Sequence, residues 1–231
     1  MENISLEKKH AAVAASQLIK NGMTVGLGTG STVNYFLDAL ATRIRQENLK
    51  IVGVTTSFKT ANRAESLGIT IIDIDDAPAI DLTVDGADEV DNRMNGIKGG
   101  GAAFLMEKIV AHNSNRVVWI IDSQKRHQQL GRFPLPVEIV PFGSGKLIAD
   151  FKKRHLHPVL RQQDGKTVVT DMGHFIVDLV LNRIDQPYQL GQYLDSRIGV
   201  VEHGLFLGVA DEIIIGTSSG VRQLKRDALQ K

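Results

Sequence analysis

Apolar and polar positions along the chain alternate between two periods. Residues 6–19 carry apolar side chains at helical spacing, and "MTVGLG" (23–28) is a short apolar run of the kind a buried strand shows. "STVNYFLDALATRI" (31–44) returns to the helical period, with Ser31 or Thr32 placed as its N-cap. A strand is predicted at "KIVGVTTS" (50–57), a helix at "FKTANRAESLG" (58–68), and strands at "TIIDI" (70–74) and "IDLTVDGAD" (80–88). Helix "AAFLMEKIVA" (102–111) and strand "RVVWIID" (116–122) follow. Strands separated by helices in this order predict an α/β fold with a parallel sheet and right-handed crossovers.

Beyond Lys125 the texture changes. "GRFPLPVEIVPF" (131–142) sets three prolines around a strand, "SGKLIADFKKRH" (144–155) is helical, and "TVVTDMGHFIVDLVL" (167–181) gives two strand runs broken near Gly173. "YQLGQYLDSRIGVVEHGLF" (188–206) reads as a helix leading into a strand. This β-α-β-β-α-β order predicts a small α+β domain with an antiparallel sheet. The buried run "DEIIIGTSSG" (211–220) then returns to the first domain. The expected division is a main domain of residues 1–130 with 208–231, and a smaller one of residues 131–207.

Composition narrows the function classes. A length of 231 residues is enough to bury a substantial core. The formal charge of +1 gives no global field for nucleic acid or a membrane surface, so any anion recognition must be local. With no cysteine, disulfides, thiolate nucleophiles and thiolate zinc sites are excluded together. The first residues mix acidic and basic side chains where a signal peptide needs an apolar core, which predicts a cytoplasmic protein. The seven histidines, His155 and His157 among them, are scattered and read as structural or exposed.

The glycine-rich turn "GLGTGSTV" (26–33) lies between the first strand and the second helix. A dinucleotide fingerprint needs a third glycine where Ser31 stands, and "KIVGVTTS" does not end in a ribose-binding acid. A Walker loop needs lysine before its serine, and Gly30 is there instead. Two readings remain: a one-phosphate site at a helix N-terminus, or a tight turn with a serine cap. A second run, Gly99 to Gly101, precedes a helix starting near Ala102, which places Glu107 more than a turn inside it. Its carboxylate could lean back over the loop, or Glu107 could be a surface glutamate.

Between the two turns, "DGADEVD" (85–91) holds four acidic side chains within seven residues. Asp85 falls at the carboxyl end of a predicted strand, where open α/β sheets bind ligands. Such a cluster suits magnesium or is a solvated acidic loop, but a lysine in the next loop, Lys98, disfavours a cation cage. Carboxylates for sugar hydroxyls, with a lysine for a developing oxyanion, fit a carbohydrate better.

Together "GLGTGSTV", "TVDGADEVD", "KGGGAAFLMEKIVA", "GRFPLPVEIVPF" and "GVVEHGLF" resemble, in order and spacing, the motifs of the ribose-5-phosphate isomerase A family. The likeness spans nearly the whole chain, with no departure within these motifs. It implies a sugar-phosphate substrate, interconversion of ribose 5-phosphate and ribulose 5-phosphate in the non-oxidative pentose phosphate pathway, and neither metal nor organic cofactor. A Rossmann-like main domain, an inserted ferredoxin-like domain and assembly into dimers or tetramers are implied as well.

By the same resemblance, Thr29, Gly30, Ser31 and Thr32 form the phosphate loop, with Lys8 and Lys125 as further contacts. Asp85, Gly86, Ala87 and Asp88 line the sugar, Asp85 assisting ring opening. Lys98, Gly99, Gly100 and Gly101 form the oxyanion side, and Glu107 is the catalytic base. Two rival readings are weaker on the same residues. A sugar-phosphate sensor would carry a helix-turn-helix ahead of the first strand, and a nicotinamide oxidoreductase would carry the missing fingerprint.

Overall fold

The structure, a computed structural model, describes residues 2–226. In chain order it begins with α1 (Glu2–Ser16), β1 (Thr24–Leu27), α2 (Ser31–Glu47), β2 (Val52–Thr55), α3 (Phe58–Ser66) and β3 (Leu82–Asp85). Next are β4 (Glu89–Val90), β5 (Gly96–Ile97), α4 (Phe104–His112), β6 (Val117–Asp122), β7 (Leu135–Ile139), α5 (Ser144–Lys153) and β8 (Pro158–Leu160). The remainder are β9 (Gln162–Gln163), β10 (Lys166–Thr167), β11 (Phe175–Leu179), α6 (Pro187–Asp195), β12 (Val200–His203), β13 (Leu205–Phe206), β14 (Glu212–Thr217) and β15 (Gly220–Lys225).

The chain divides into two compact units, the first being residues 1–87, 106–126 and 208–231. Its sheet runs β15-β14-β6-β3-β1-β2. The inner pairings are parallel, as the alternation of strands and helices requires, but β15 folds back antiparallel on β14, so the sheet is mixed. Val25, Leu27, Val84, Val118, Ile120 and Ile214 stack under Ala11, Ala15, Phe36, Leu37 and Leu40 of the first two helices. Fully buried strands of this kind are apolar on both faces, which is why their sequences read as unbroken runs. Small residues let α1 come close: a Cβ at Gly216 would lie 1.8 Å from the carbonyl oxygen of Glu7.

One predicted strand is not there. In residues 70–74 only Ile71 makes a β-bridge, to Gly53. The chain then turns into a short 3-10 segment because the Asp73 carboxylate accepts the N–H of Asp75, a local bond that competes with the ladder.

The second unit comprises residues 88–105 and 127–207. Its larger sheet has the order β12-β7-β11-β8 with every neighbour antiparallel. Leu135, Val137 and Ile139 of β7 point to one face and pack with Phe151 of α5 and Leu194 of α6. A three-stranded sheet, β13-β5-β4, draws residues 88–105 into this unit, whereas the expected division places them with residues 1–130. Strands of two residues are too short to show a period. "GVVEHGLF" is likewise two strands, parted at Gly204, whose N–H donates to Pro136 while its carbonyl accepts from Lys98. Among the described residues no helix is long and apolar enough to cross a membrane.

Candidate active site

In the first unit β1 runs into α2 through Gly28, Thr29 and Gly30. Gly30 is the N-cap of α2 at φ 124° and ψ 175°, a conformation open to glycine alone, and no side chain caps the helix. Ser31 and Thr32 are therefore the first helical residues and not its cap. Their N–H groups belong to the set that a helix N-terminus leaves without intrahelical partners, at the positive end of its dipole. The Ser31 hydroxyl accepts a hydrogen bond from Lys8 Nζ at 2.9 Å, which brings an ammonium to that end.

The loop is held from two sides. Asp85, at the end of β3 and 2 % exposed, accepts the N–H of Thr29 at 3.0 Å and of Gly86 at 2.7 Å through one oxygen. The Thr29 hydroxyl meets those of Thr56, Ser57 and Thr60 at 2.8, 2.8 and 3.1 Å, and Thr60 donates to the Gly28 carbonyl. Sequence reasoning missed these three residues; the polar end of "KIVGVTTS", unusual for a buried strand terminus, marks Thr56 and Ser57, while Thr60 lies in the first turn of α3. Gly86 and Ala87, both half-buried, follow Asp85 out of the strand.

Lys125 closes the short 3-10 turn Ser123–Lys125 after β6. Glu7, buried on α1, accepts both the N–H and the hydroxyl of Ser123 at 3.0 and 2.8 Å. The helix that carries Lys8 thus also anchors the turn that carries Lys125.

Glu107 belongs to the first turn of α4, because the helix starts at Phe104 and not near Ala102. Ala102 has φ 62°, left-handed and outside the helical region. Glu107 is 5 % exposed, so the surface-glutamate reading is wrong. A carboxylate placed there faces the favourable end of the helix dipole.

In the second unit Lys98 is 2 % exposed, with Nζ 5.4 Å from the centre of the Phe206 ring. An ammonium over an aromatic face is attracted by the ring quadrupole. After it the chain turns through Gly99, Gly100 and Gly101. Gly99 has φ 112°, and a Cβ there would lie 2.6 Å from the Phe104 ring. Asp88 accepts the Gly100 N–H at 2.7 Å. Arg161 donates to the Gly99 carbonyl at 2.7 Å while its other nitrogens hold Asp178.

The acidic cluster separates into four anchors. Asp85 takes Thr29 and Gly86 N–H groups, Asp88 takes Gly100, and buried Glu89 takes those of Gly131, Arg132 and Phe133. Asp91 takes those of Arg93 and Asn95. Carboxylates accepting backbone N–H groups are charge-assisted bonds, and here they fix loops. A solvated acidic loop is not what the sequence encodes.

A mostly parallel sheet whose loops after β1 and β3 are fixed by the buried Asp85 carboxylate, with a buried glutamate in the first turn of α4, is the architecture of an α/β enzyme. The family model described as "Ribose 5-phosphate isomerase A (phosphoriboisomerase A)" matches residues 52–220. Ribose-5-phosphate isomerase A of Bifidobacterium longum is 55 % identical over 216 residues, covering 93 % of each chain. That of Streptococcus equi subsp. zooepidemicus is 50 % identical over 218 residues, 94 % of this chain and 96 % of that one. A solved D-ribose-5-phosphate isomerase in complex with phospho-erythronic acid superposes with a TM-score of 0.94 at 38 % identity, covering 97 % of this chain and 100 % of that one. The enzyme from Methanocaldococcus jannaschii gives 0.90 at 38 % identity over 95 % and 98 %. The chain belongs to the ribose-5-phosphate isomerase A family and is a ribose-5-phosphate isomerase, an enzyme of the pentose phosphate pathway.

Proposed function

We propose that the chain interconverts D-ribose 5-phosphate and D-ribulose 5-phosphate through a cis-enediolate, with Glu107 as the proton carrier. The observation that carries this reading is a carboxylate 5 % exposed in the first turn of α4, directly behind a glycine run. In the open-chain aldose, Glu107 removes the C2 proton, and the electron pair forms the C1–C2 double bond as the carbonyl oxygen becomes anionic. The proton then returns to C1, the O2 proton passes to O1, and the ketose carbonyl forms at C2. This is an internal proton shift, balanced without an oxidant or reductant, so the reading calls for no cofactor or metal.

Lys98 and the N–H groups of Gly99 and Gly101, in the turn that Asp88 holds through the Gly100 N–H, stabilise the enediolate oxygens, a contribution worth about 10² to 10³ in rate per donor. Asp85 assists ring opening, and Gly86, Ala87 and Asp88 line the sugar. Thr29, Gly30, Ser31 and Thr32, with Lys8 and Lys125, hold the phosphate, which does not react and so serves to position the sugar. A related enzyme's complex with phospho-erythronic acid supports this assignment, since a carboxylate on a phosphorylated polyol resembles the enediolate in charge and shape.

The strand order of the first unit supports a Rossmann-like catalytic domain. The order β12-β7-β11-β8 over two helices supports a ferredoxin-like small domain around residues 131–207. Assembly into homodimers or homotetramers and a cytoplasmic location complete the reading; neither nucleic acid nor membrane is a partner. The test is Glu107→Gln, assayed by ketose absorbance with EDTA present. The variant folds, binds sugar phosphate and loses at least about 10²-fold in turnover; near-normal turnover removes Glu107 from the role.

A further inference from the structure

Among the described residues His203 is the one buried histidine, and the reaction makes no direct use of it. It ends β12, one residue before the Gly204 break. Its Nδ1 accepts the N–H of Leu205 at 3.2 Å, and its Nε2 lies 3.2 Å from Asp195 Oδ1 at the end of α6. A backbone N–H can only donate, so Nδ1 carries no proton, and the ring's single proton sits on Nε2, directed at Asp195. Gly191, one helical turn before Asp195, leaves room for the ring, since a Cβ there would meet Nε2 at 3.3 Å.

Asp195, Glu202 and His203 could be taken for a metal set. The tautomer argues otherwise: a cation on Nε2 requires the proton on Nδ1, where it would face the Leu205 N–H. Glu202 lies 3.9 Å from Nδ1 and instead accepts the backbone N–H of His203 at 2.7 Å.

The pair is better placed to act on the chain that follows. Gly204 accepts the N–H of Lys98 at 2.9 Å, and a Cβ on Gly204 would lie 2.3 Å from the Lys98 carbonyl. Leu205 and Phe206 pair with Ile97 and Gly96, and the Phe206 ring lies under Lys98 Nζ. Residues 204–206 therefore set both the backbone position of Lys98 and the surface its ammonium rests on. His203 Nδ1 fixes the first peptide of that segment to β12, and Asp195 fixes the ring.

We propose that His203, oriented by Asp195, is a positioning residue for Lys98, acting through Gly204, Leu205 and Phe206. The proposal rests on the reading of Lys98 as the oxyanion donor. A misplaced donor affects the intermediate more than the bound phosphate, so the loss should fall on kcat and spare KM.

The test compares His203→Leu, His203→Asn, Asp195→Ala and Lys98→Ala in steady-state turnover of ribose 5-phosphate, each checked by circular dichroism. Asn offers an oxygen where Nδ1 stood; Leu offers nothing. His203→Leu should lower kcat at least about tenfold with KM within about twofold, and His203→Asn should recover most of that loss. Asp195 is exposed, so its removal does not threaten the fold; Asp195→Ala should lower kcat about threefold with KM unchanged. Unchanged kcat in Asp195→Ala, equal losses in Leu and Asn, or a proton on Nδ1 in nitrogen-15 NMR of His203 would each overturn the proposal. A Lys98→Ala variant with near-normal kcat would instead overturn the role of Lys98 itself.

Discussion

A Cβ at Gly28 would lie 2.0 Å from Asp85 Oδ1 and 2.6 Å from the Asp85 Cα. The glycine is there because β1 and β3 are adjacent and the Asp85 carboxylate occupies the space a side chain would need. Gly28→Ala forces backbone to move as well as a side chain. It should cost about 1–3 kcal/mol of stability and lower turnover at least about tenfold. Urea unfolding and the ketose assay on the same preparation check both numbers.

Ser31 and Thr32 stand at the open end of α2, and Lys8 reaches the Ser31 hydroxyl. Replacing both hydroxyl residues with alanine should raise KM about tenfold while kcat stays within about threefold, the pattern expected when uniform binding is lost. A large fall in kcat at constant KM would contradict a phosphate role for this turn.

Glu89 is fully buried and accepts three consecutive backbone N–H groups, yet it plays no part in the proposed chemistry. Glu89→Ala should destabilise the protein by about 2–3 kcal/mol because those donors are left without their acceptor. In folded protein kcat and KM should stay near wild type. Denaturant titration beside kinetics separates the two effects.

Arg161 spans the Gly99 carbonyl and the Asp178 carboxylate with a planar fork. Lysine keeps the charge but cannot bond all three oxygens. Arg161→Lys should therefore cost about 1–2 kcal/mol and reduce kcat by about threefold to tenfold, because the glycine turn loses one of its two anchors. Thermal unfolding and initial rates decide it.

Much of the fold was legible where burial alone dictates sequence. The runs that became β1, β6 and β14 are buried along almost their whole length and read as strands without help from context. The family's motifs drew attention to Glu107 and Asp85, both of which the structure buries, and the acid cluster to carboxylates that anchor loops. What could not be read were relations set by hydrogen bonds between distant residues. The polar side chains of "TTSFKT" (55–60) are visible, but nothing in them says that Thr56, Ser57 and Thr60 will close on Thr29, nor in "HGL" that Gly204 will exchange bonds with Pro136 and Lys98. The start of α4 was misjudged for a related reason. Ala102 favours helix by propensity, but the bond from its N–H to the Gly99 carbonyl holds it in a turn.

The antiparallel return of β15 has its own consequence for solubility. Glu212 to Gly216 are buried, and Ile213, Ile214 and Ile215 among them form an aggregation-prone core if their strand is ever left at a margin. Covering them is a strand whose outward residues include Arg222, Gln223 and Lys225, side chains that discourage a neighbouring molecule from extending the sheet. The hairpin serves the reaction only indirectly, as a seal that keeps each copy from polymerising through its own interior.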